Sequence, residues 1–170
     1  MAQIKKLGRP TKERMAVMRN QATDLLWKGR ITTTVAKAKS LKSYTEKILT
    51  LAINSFEDNI KVQKTVVDEK GNKVSKEVIA DGTKKLAARR KIMNKLYDVK
   101  ELRKKGEKKE AFITRTEGIK HPLVEKIFNV YAPKYAARIK ELGQGGGYTR
   151  IILAGARKGD NAQTAIIELI

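Results

Sequence analysis

The spacing of apolar residues predicts two helices in the first third of the chain. Residues three and four positions apart share one helix face, so an apolar stripe at that spacing marks the buried side. Thr11 is a suitable N-cap for the first helix, and Gly29 is a suitable end. Thr34 precedes the second helix. The stripe of the first helix is Met15, Met18, Ala22, Leu25 and Leu26, and that of the second is Ala38, Leu41, Ile48, Leu49, Ala52 and Phe56.

Two further helices are predicted in the second half of the chain. Asp81–Thr83 begins the third helix, and we expect the fourth to break near Pro133, with a final turn through residues 136–138. Residues 99–121 are predicted to be an exposed insertion, either a basic helical extension or a loop, because Gly106 interrupts any helix there. The residues predicted to face the core are Leu86, Met93, Leu96 and Tyr97 in the third helix and Leu123, Ile127, Phe128 and Tyr131 in the fourth.

Runs of β-branched and aromatic residues predict a small sheet. Ile31–Thr34 is one short strand, and Tyr148–Leu153 and Ala165–Ile170 are two more, joined by a polar turn at Gly159–Asn161. If the first strand joins this closing hairpin, the result is a two-layer α+β domain. Its sheet is expected to be three-stranded and mixed, and covered by about four helices.

The chain is predicted to have a basic N-terminal arm at residues 1–10 and a single domain over residues 11–170. That domain carries inserts at residues 57–82 and 99–121. The first insert is predicted to be a peripheral β-ribbon with a polar tip at Asp68–Lys73. The arm is expected to order on RNA because the protein is so basic, and the alternative is a frayed terminus.

Net charge decides the class of partner. The 170 residues include 38 Lys and Arg against 18 Asp and Glu, a net charge of +20. Such a surplus on a small domain repels itself, so it indicates a polyanion that neutralises it. Nucleic acid is the first candidate. An anionic membrane surface is the second, but the cations surround the apolar stripes without forming one amphipathic anchor.

Composition argues against catalysis and against bound cofactors. Cysteine is absent and His121 is the single histidine, so thiolate and histidine-cluster metal sites are excluded. Gly145–Gly147 precedes a strand and does not open a helix, unlike a nucleotide-binding loop. The N-terminus has no long apolar segment of the signal-peptide type, and we expect a cytoplasmic protein.

The candidate ligands for RNA phosphates are basic residues of the arm, the helices and the closing hairpin. Arginine is favoured because its planar fork donates two hydrogen bonds at once. Tyr148, beside the glycines, either stacks on a base or sugar or packs in the core. The basic candidates are Lys5, Lys6, Arg9, Arg14, Arg19, Lys37, Lys42, Arg89, Arg90, Arg138, Arg150, Arg157 and Lys158.

Several phrases along the chain together resemble one family. They are Gly8-Arg9 with Arg14 and Met18–Asn20, Ile31–Thr34 with Ala36-Lys37, Ala88–Arg90, Leu123–Arg138, Gly146–Ile151, Gly159–Ala162 and Ile167–Leu169. These resemble the bacterial large-subunit ribosomal protein L-seventeen family over nearly the whole chain, and the last three phrases are the most specific. The opening is poorer in basic residues than is usual there, and both inserts look longer than in the short form of the family.

The resemblance implies a structural constituent of the large ribosomal subunit with no catalytic activity. It implies binding to folded large-subunit ribosomal RNA near the polypeptide exit tunnel, beside neighbouring ribosomal proteins. A-form RNA hides its base edges, so phosphates and shape are the expected targets. The alternative is a free nucleic-acid-binding protein of the nucleoid or regulatory kind, which would bind duplex DNA comparably.

Overall fold

The computed structural model describes residues 5–67 and 73–170, and its helices and strands follow the predicted order. The elements are α1 (Thr11–Lys28), β1 (Arg30–Thr34), α2 (Val35–Ile53), β2 (Asn59–Val67), β3 (Lys73–Asp81), α3 (Thr83–Lys95), α4 (Lys109–Thr116), α5 (Pro122–Lys126), a π-helical turn (Ile127–Tyr131), α6 (Ala132–Leu142), β4 (Thr149–Ala156) and β5 (Gln163–Leu169). The α+β class is confirmed.

The main sheet has the strand order β1-β5-β4, so the predicted third strand does join the closing hairpin. Both strand pairs are antiparallel, which corrects the expected mixed sheet. The short turn between β4 and β5 forces an antiparallel pair, and β1, which pairs with the other edge of β5, is also antiparallel to it. Ile167 of β5 lies between Ile31 and Ile151 and is fully buried. β5 is therefore the central strand of the sheet, and Ala165 and Ile167 are buried.

Helices α1 and α2 pack on one face of this sheet, and the α5–α6 segment packs against these two helices. Fully buried Leu25, Leu41, Ile48 and Tyr135 form the centre of the core. Each large apolar side chain buried there contributes about 1.5–3 kcal/mol relative to exposure. The buried Tyr131 hydroxyl donates to the Leu26 carbonyl at 2.9 Å.

The fourth helix does not break at Pro133, so that prediction is wrong. The helix widens into a π-helical turn before the proline, where the N–H of Ala132 donates to the carbonyl of Ile127 five residues back. Pro133 then lies at the start of α6, where its missing N–H is tolerated. The rod continues to Leu142.

Four residues predicted to face the core are substantially exposed: Met15 37%, Leu86 39%, Met93 37% and Tyr97 42%. In α3 the buried face is instead Lys85, Ala88 and Ile92. Polar contacts explain why Lys85 is on the buried face: its ammonium lies 3.2 Å from the Asp81 carboxylate and 2.6 Å from the Asn59 side-chain oxygen. Those two partners belong to the ribbon, so they orient α3 in a way that apolar spacing does not reveal.

The predicted ribbon is present as the antiparallel pair β2 and β3, and residues 68–72 of its expected tip lie outside the described part. Asp58 holds its base, because its carboxylate accepts the N–H groups of Lys84 at 2.8 Å and Lys85 at 3.2 Å. A Cβ on Gly82 would lie 2.3 Å from that carboxylate, so a larger residue there would displace the Asp58 side chain from these N–H groups.

Residues 99–121 contain both expected alternatives, since loop segments flank the eight-residue helix α4. Among the described helices, none combines the length and apolarity that a membrane crossing requires. The division into an arm at residues 1–10 and one domain over 11–170 stays a prediction.

Candidate nucleic-acid interface

Helix α2 presents a line of polar and basic side chains on the side away from the core. Its apolar residues Leu41, Ile48 and Leu49 are fully buried. Residues four positions apart are neighbours on a helix surface, so Lys39 and Lys47 flank Ser43 on one line. Lys39 and Lys47 are exposed, and Lys42 is half-buried beside them.

Two concavities adjoin this line and share Lys39, Ser43 and Lys47. One, of about 560 Å³, lies between α2, the end of α3 and the glycine loop at residues 143–147. The other, of about 480 Å³, lies between α2, α1 and residues 5–7 of the arm. We call this continuous surface the basic groove, and its cations are Lys5, Arg14, Lys39, Lys42, Lys47 and Lys95.

The acidic residue that lines the groove, Glu46, accepts hydrogen bonds from a residue of the sheet. Glu46 Oε1 accepts the Thr149 hydroxyl at 2.9 Å and the Thr149 N–H at 3.3 Å. Within residues 5–67 and 73–170, none of the six groove cations forms an ion pair. Their charge is therefore available to an anionic partner.

The floor beneath the groove is aromatic and closed. Tyr148 is 3% exposed and its ring centroid lies 4.9 Å from that of Tyr135. Of the two alternatives for Tyr148, the geometry fits core packing, and it leaves no open ring face for a base. Burial raises the pKa of Tyr135 to about 12. Arg138 donates to the Gly147 carbonyl at 3.1 Å, so this predicted ligand braces the glycine loop.

Three of the favoured arginines are bound to carboxylates of the same chain. Arg150 donates to Glu168 at 2.9 Å on the outer face of the sheet, and Arg157 donates to Asp160 at 2.8 Å in the β4–β5 turn. The hydrogen bonds from Arg157 hold the pKa of Asp160 at about 2.

Arg89 makes the third set of pairs, at the junction of α3, the ribbon and α5. It donates to Asp81 at 2.6 Å, pairs with Glu125, and lies over the Phe128 ring at 5.1 Å. Partial burial raises the pKa of Asp81, but the hydrogen bonds from Arg89 and Lys85 outweigh it and leave that pKa below its usual value. The geometry therefore indicates a structural role for Arg89.

The remaining candidates are dispersed. Lys6 and Arg9 are exposed in the arm, where Arg9 lies 3.9 Å from Glu13. Arg90 and Lys158 are exposed on α3 and in the β4–β5 turn. The last two candidates are partly buried, Lys37 near the start of α2 and Arg19 beside Tyr44. Burial raises the pKa of Tyr44, and the neighbouring Arg19 opposes this rise.

The groove therefore brings together three candidates, Lys5, Arg14 and Lys42, with three cations that sequence reasoning did not select: Lys39, Lys47 and Lys95. The four-residue spacing from Lys39 through Ser43 to Lys47 was the available signal. Lys95 joins them only through the packing of α3. Among the described residues, no three acidic or histidine side chains are grouped as a metal site would require.

Comparison with known proteins gives one consistent result. The family model described as Ribosomal protein L17 matches residues 17–170. The chain is similar to a protein of Lachnospira eligens named "Large ribosomal subunit protein bL17", with 37% identity over 191 aligned positions that span all of both chains. Proteins of the same name are each 34% identical: one from Acetivibrio thermocellus, with 98% of both chains covered, and one from Clostridium tetani, with all of both covered.

Proposed function

This chain belongs to the ribosomal protein L17 family, and we propose that it is a structural constituent of the bacterial large ribosomal subunit. In this role it binds and stabilises folded large-subunit ribosomal RNA near the polypeptide exit tunnel, in contact with neighbouring ribosomal proteins. The proposal includes no catalytic step and no cofactor, and it places the protein in the cytoplasm with the ribosomes. The names of the full-length relatives support the subunit assignment.

The basic groove is the observation that supports RNA binding. Its six cations have no ion pair among the described residues, and Glu46 is engaged by Thr149. Lysine ammonium groups bind phosphates as mobile point charges, which suits a backbone whose base edges are hidden. The groove therefore fits a ribose-phosphate backbone better than a small ligand, and we expect recognition of RNA shape.

Exposed cations outside the groove extend this surface. Arg90 on α3, Lys158 in the β4–β5 turn and the arm residues Lys6 and Arg9 are in a position to add phosphate contacts. Each contact releases counterions, so binding is expected to weaken steeply as salt concentration rises.

Sedimentation tests the assignment. The tagged full-length chain should travel with large subunits in sucrose gradients through a salt wash that does not dissociate them. A free nucleic-acid-binding protein would instead stay near the top of the gradient and bind duplex DNA as tightly as ribosomal RNA. That result would overturn the proposal.

The position of the protein within the subunit needs a second measurement. A photo-crosslinker at Lys42 should join nucleotides of large-subunit RNA in purified particles, and the crosslinked nucleotides and proteins should belong to the tunnel-exit region. Crosslinks confined to another region would contradict the tunnel location and leave the subunit assignment intact.

A further inference from the structure

A second cationic surface lies in the insert at residues 99–121, and none of its side chains lines the basic groove. Helix α4 in this insert has no buried residue. An eight-residue helix without buried residues is not stable by itself in water, so other interactions must hold it. The exposed cations before and at the start of α4 are Lys100, Arg103, Lys104, Lys105, Lys108 and Lys109.

Arg115 of α4 holds the preceding loop in place. Its guanidinium donates to Glu107 Oε1 at 2.9 Å and to Glu107 Oε2 at 3.3 Å, and it also pairs with Glu101. It further lies over the Phe112 ring, 5.5 Å from the centroid. One arginine thus ties two points of the loop, six residues apart, to the helix. We call residues 100–116 the clamped segment.

The loop between those two points has a defined shape. The Glu107 N–H donates to the Lys104 carbonyl at 3.0 Å. Gly106 in this turn has φ +84°, a backbone conformation that would be strained for a residue with a side chain. Glu107 Oε2 also accepts the Lys104 N–H at 2.9 Å. The turn leaves Lys104 and Lys105 exposed at its outer side.

The clamp also changes which charges remain available. Glu101 and Glu107 are both turned inward onto Arg115, and the Glu107 side chain is only 13% exposed. Across the described residues, the six exposed cations of this segment have no ion pair. The loop therefore directs both of its carboxylates at Arg115, and cations dominate its outer surface, with Glu110 of α4 the exposed acidic residue of the segment.

We propose that the clamped segment is a second phosphate-binding site for RNA, separate from the basic groove, with Arg115 as its positioning residue. The identity of the RNA rests on the proposed function; the phosphate chemistry rests on this segment. The ribbon, residues 59–81, has a more even composition of five lysines and four acidic residues, against seven cations and three acidic residues in the clamped segment. Preorganised, unpaired cations bind a polyanion with less ordering cost than a flexible tail.

Two matched triple variants of the full-length chain test the site. K104A/K105A/K108A removes three charges from the clamped segment, and K61A/K84A/K140A removes three exposed charges elsewhere. In filter binding to large-subunit RNA, we expect the first to lower affinity at least tenfold and to reduce the salt slope by about two to three. The control should lower affinity several-fold less.

The outcomes separate this inference from the proposed function. If the wild-type chain binds no ribosomal RNA, the proposed function fails. If it binds and the two triple variants behave alike, only the clamped segment is overturned. If the first triple variant loses retention on large subunits but keeps its affinity for naked RNA, the segment contacts a protein, and the RNA site is again overturned.

A separate pair of matched variants tests the role of Arg115. R115M and K120M each remove one positive charge from the insert, but only R115M releases two carboxylates toward the phosphates. We therefore expect R115M to reduce the salt slope by more than one and to lower affinity several-fold more than K120M, with the folded core unchanged by circular dichroism. Equal effects of the two variants would contradict the clamp.

Discussion

The basic groove and the closing hairpin carry charge of the same sign and use it differently. In the groove, Lys39 and Lys47 are exposed with no ion pair among the described residues. In the hairpin, Arg150 is bound to Glu168 and Arg157 to Asp160. The hairpin arginines are thus paired with carboxylates of the same chain, whereas the groove lysines are not paired among the described residues and are available to a partner.

The chemistry of the two side chains explains this division. The guanidinium fork matches a carboxylate with two parallel hydrogen bonds, so an arginine beside an acidic residue is readily captured by its own chain. Lysine is a hydrated point charge on a flexible stem and is captured less readily, although Lys28 and Lys85 are paired with Asp24 and Asp81. In the described residues, the arginines paired with carboxylates are Arg9, Arg30, Arg89, Arg115, Arg150 and Arg157.

Removing the groove lysines should have the largest effect. K39A/K42A/K47A is expected to reduce the slope of log affinity against log salt for large-subunit RNA by about three, because each lost phosphate contact removes roughly 0.9. The thermal midpoint should change little, since these side chains lie outside the core. Filter-binding titrations at several salt concentrations measure the slope.

The matched control removes a hairpin pair without changing net charge. R150Q/E168Q takes away one positive and one negative side chain that already bind each other, and it also leaves Arg30 without the Glu168 carboxylate at 4.0 Å. RNA affinity should stay close to wild type. If this double variant costs as much as the triple lysine variant, the division between groove and hairpin is wrong.

Arg89 tests the arginine side of the division through stability. R89A leaves the partly buried Asp81 and Glu125 without their shared partner, and we expect the free energy of unfolding to fall by about 1–3 kcal/mol. Urea unfolding measures it. The neighbouring R90A, at an exposed position, should stay within about 0.5 kcal/mol of wild type. Equal losses in the two variants would show that the Arg89 pairs do not stabilise the fold.

Much of the fold could be predicted because apolar spacing and turn residues act locally. The stripe through Leu25 and Leu26, the end at Gly29 and the closing hairpin all follow from neighbouring residues. The continuous rod past Pro133 could not be predicted, since the π-helical turn that accommodates the proline depends on packing. The orientation of α3 could not be predicted either, because Lys85 is drawn inward by ribbon residues that apolar patterning ignores.

The candidate site was predictable in kind but only partly in position. Net charge indicated a polyanion, and Lys5, Arg14 and Lys42 do line one groove. The preference for arginine favoured Arg89, Arg150 and Arg157, whose carboxylate partners are up to 36 residues distant in sequence. Sequence alone gives the number of cations, but only the fold shows which of them are already paired.

The smallest expected effect is local and concerns the Arg157–Asp160 pair. Hydrogen bonds from Arg157 lower the pKa of Asp160 to about 2, so any stability from the pair is present above the unfolded pKa of about 3.9 and is lost as pH falls toward 2. The carboxyl carbon shift of Asp160, followed by NMR, should stay nearly flat from pH 6 to 3 in the wild type. In R157A it should titrate within that window, although the Ala162 N–H at 3.2 Å still holds its midpoint somewhat low. A wild-type midpoint near 3.9 would mean that Arg157 is free in solution, and this arginine would then belong with the groove lysines as a charge available to RNA.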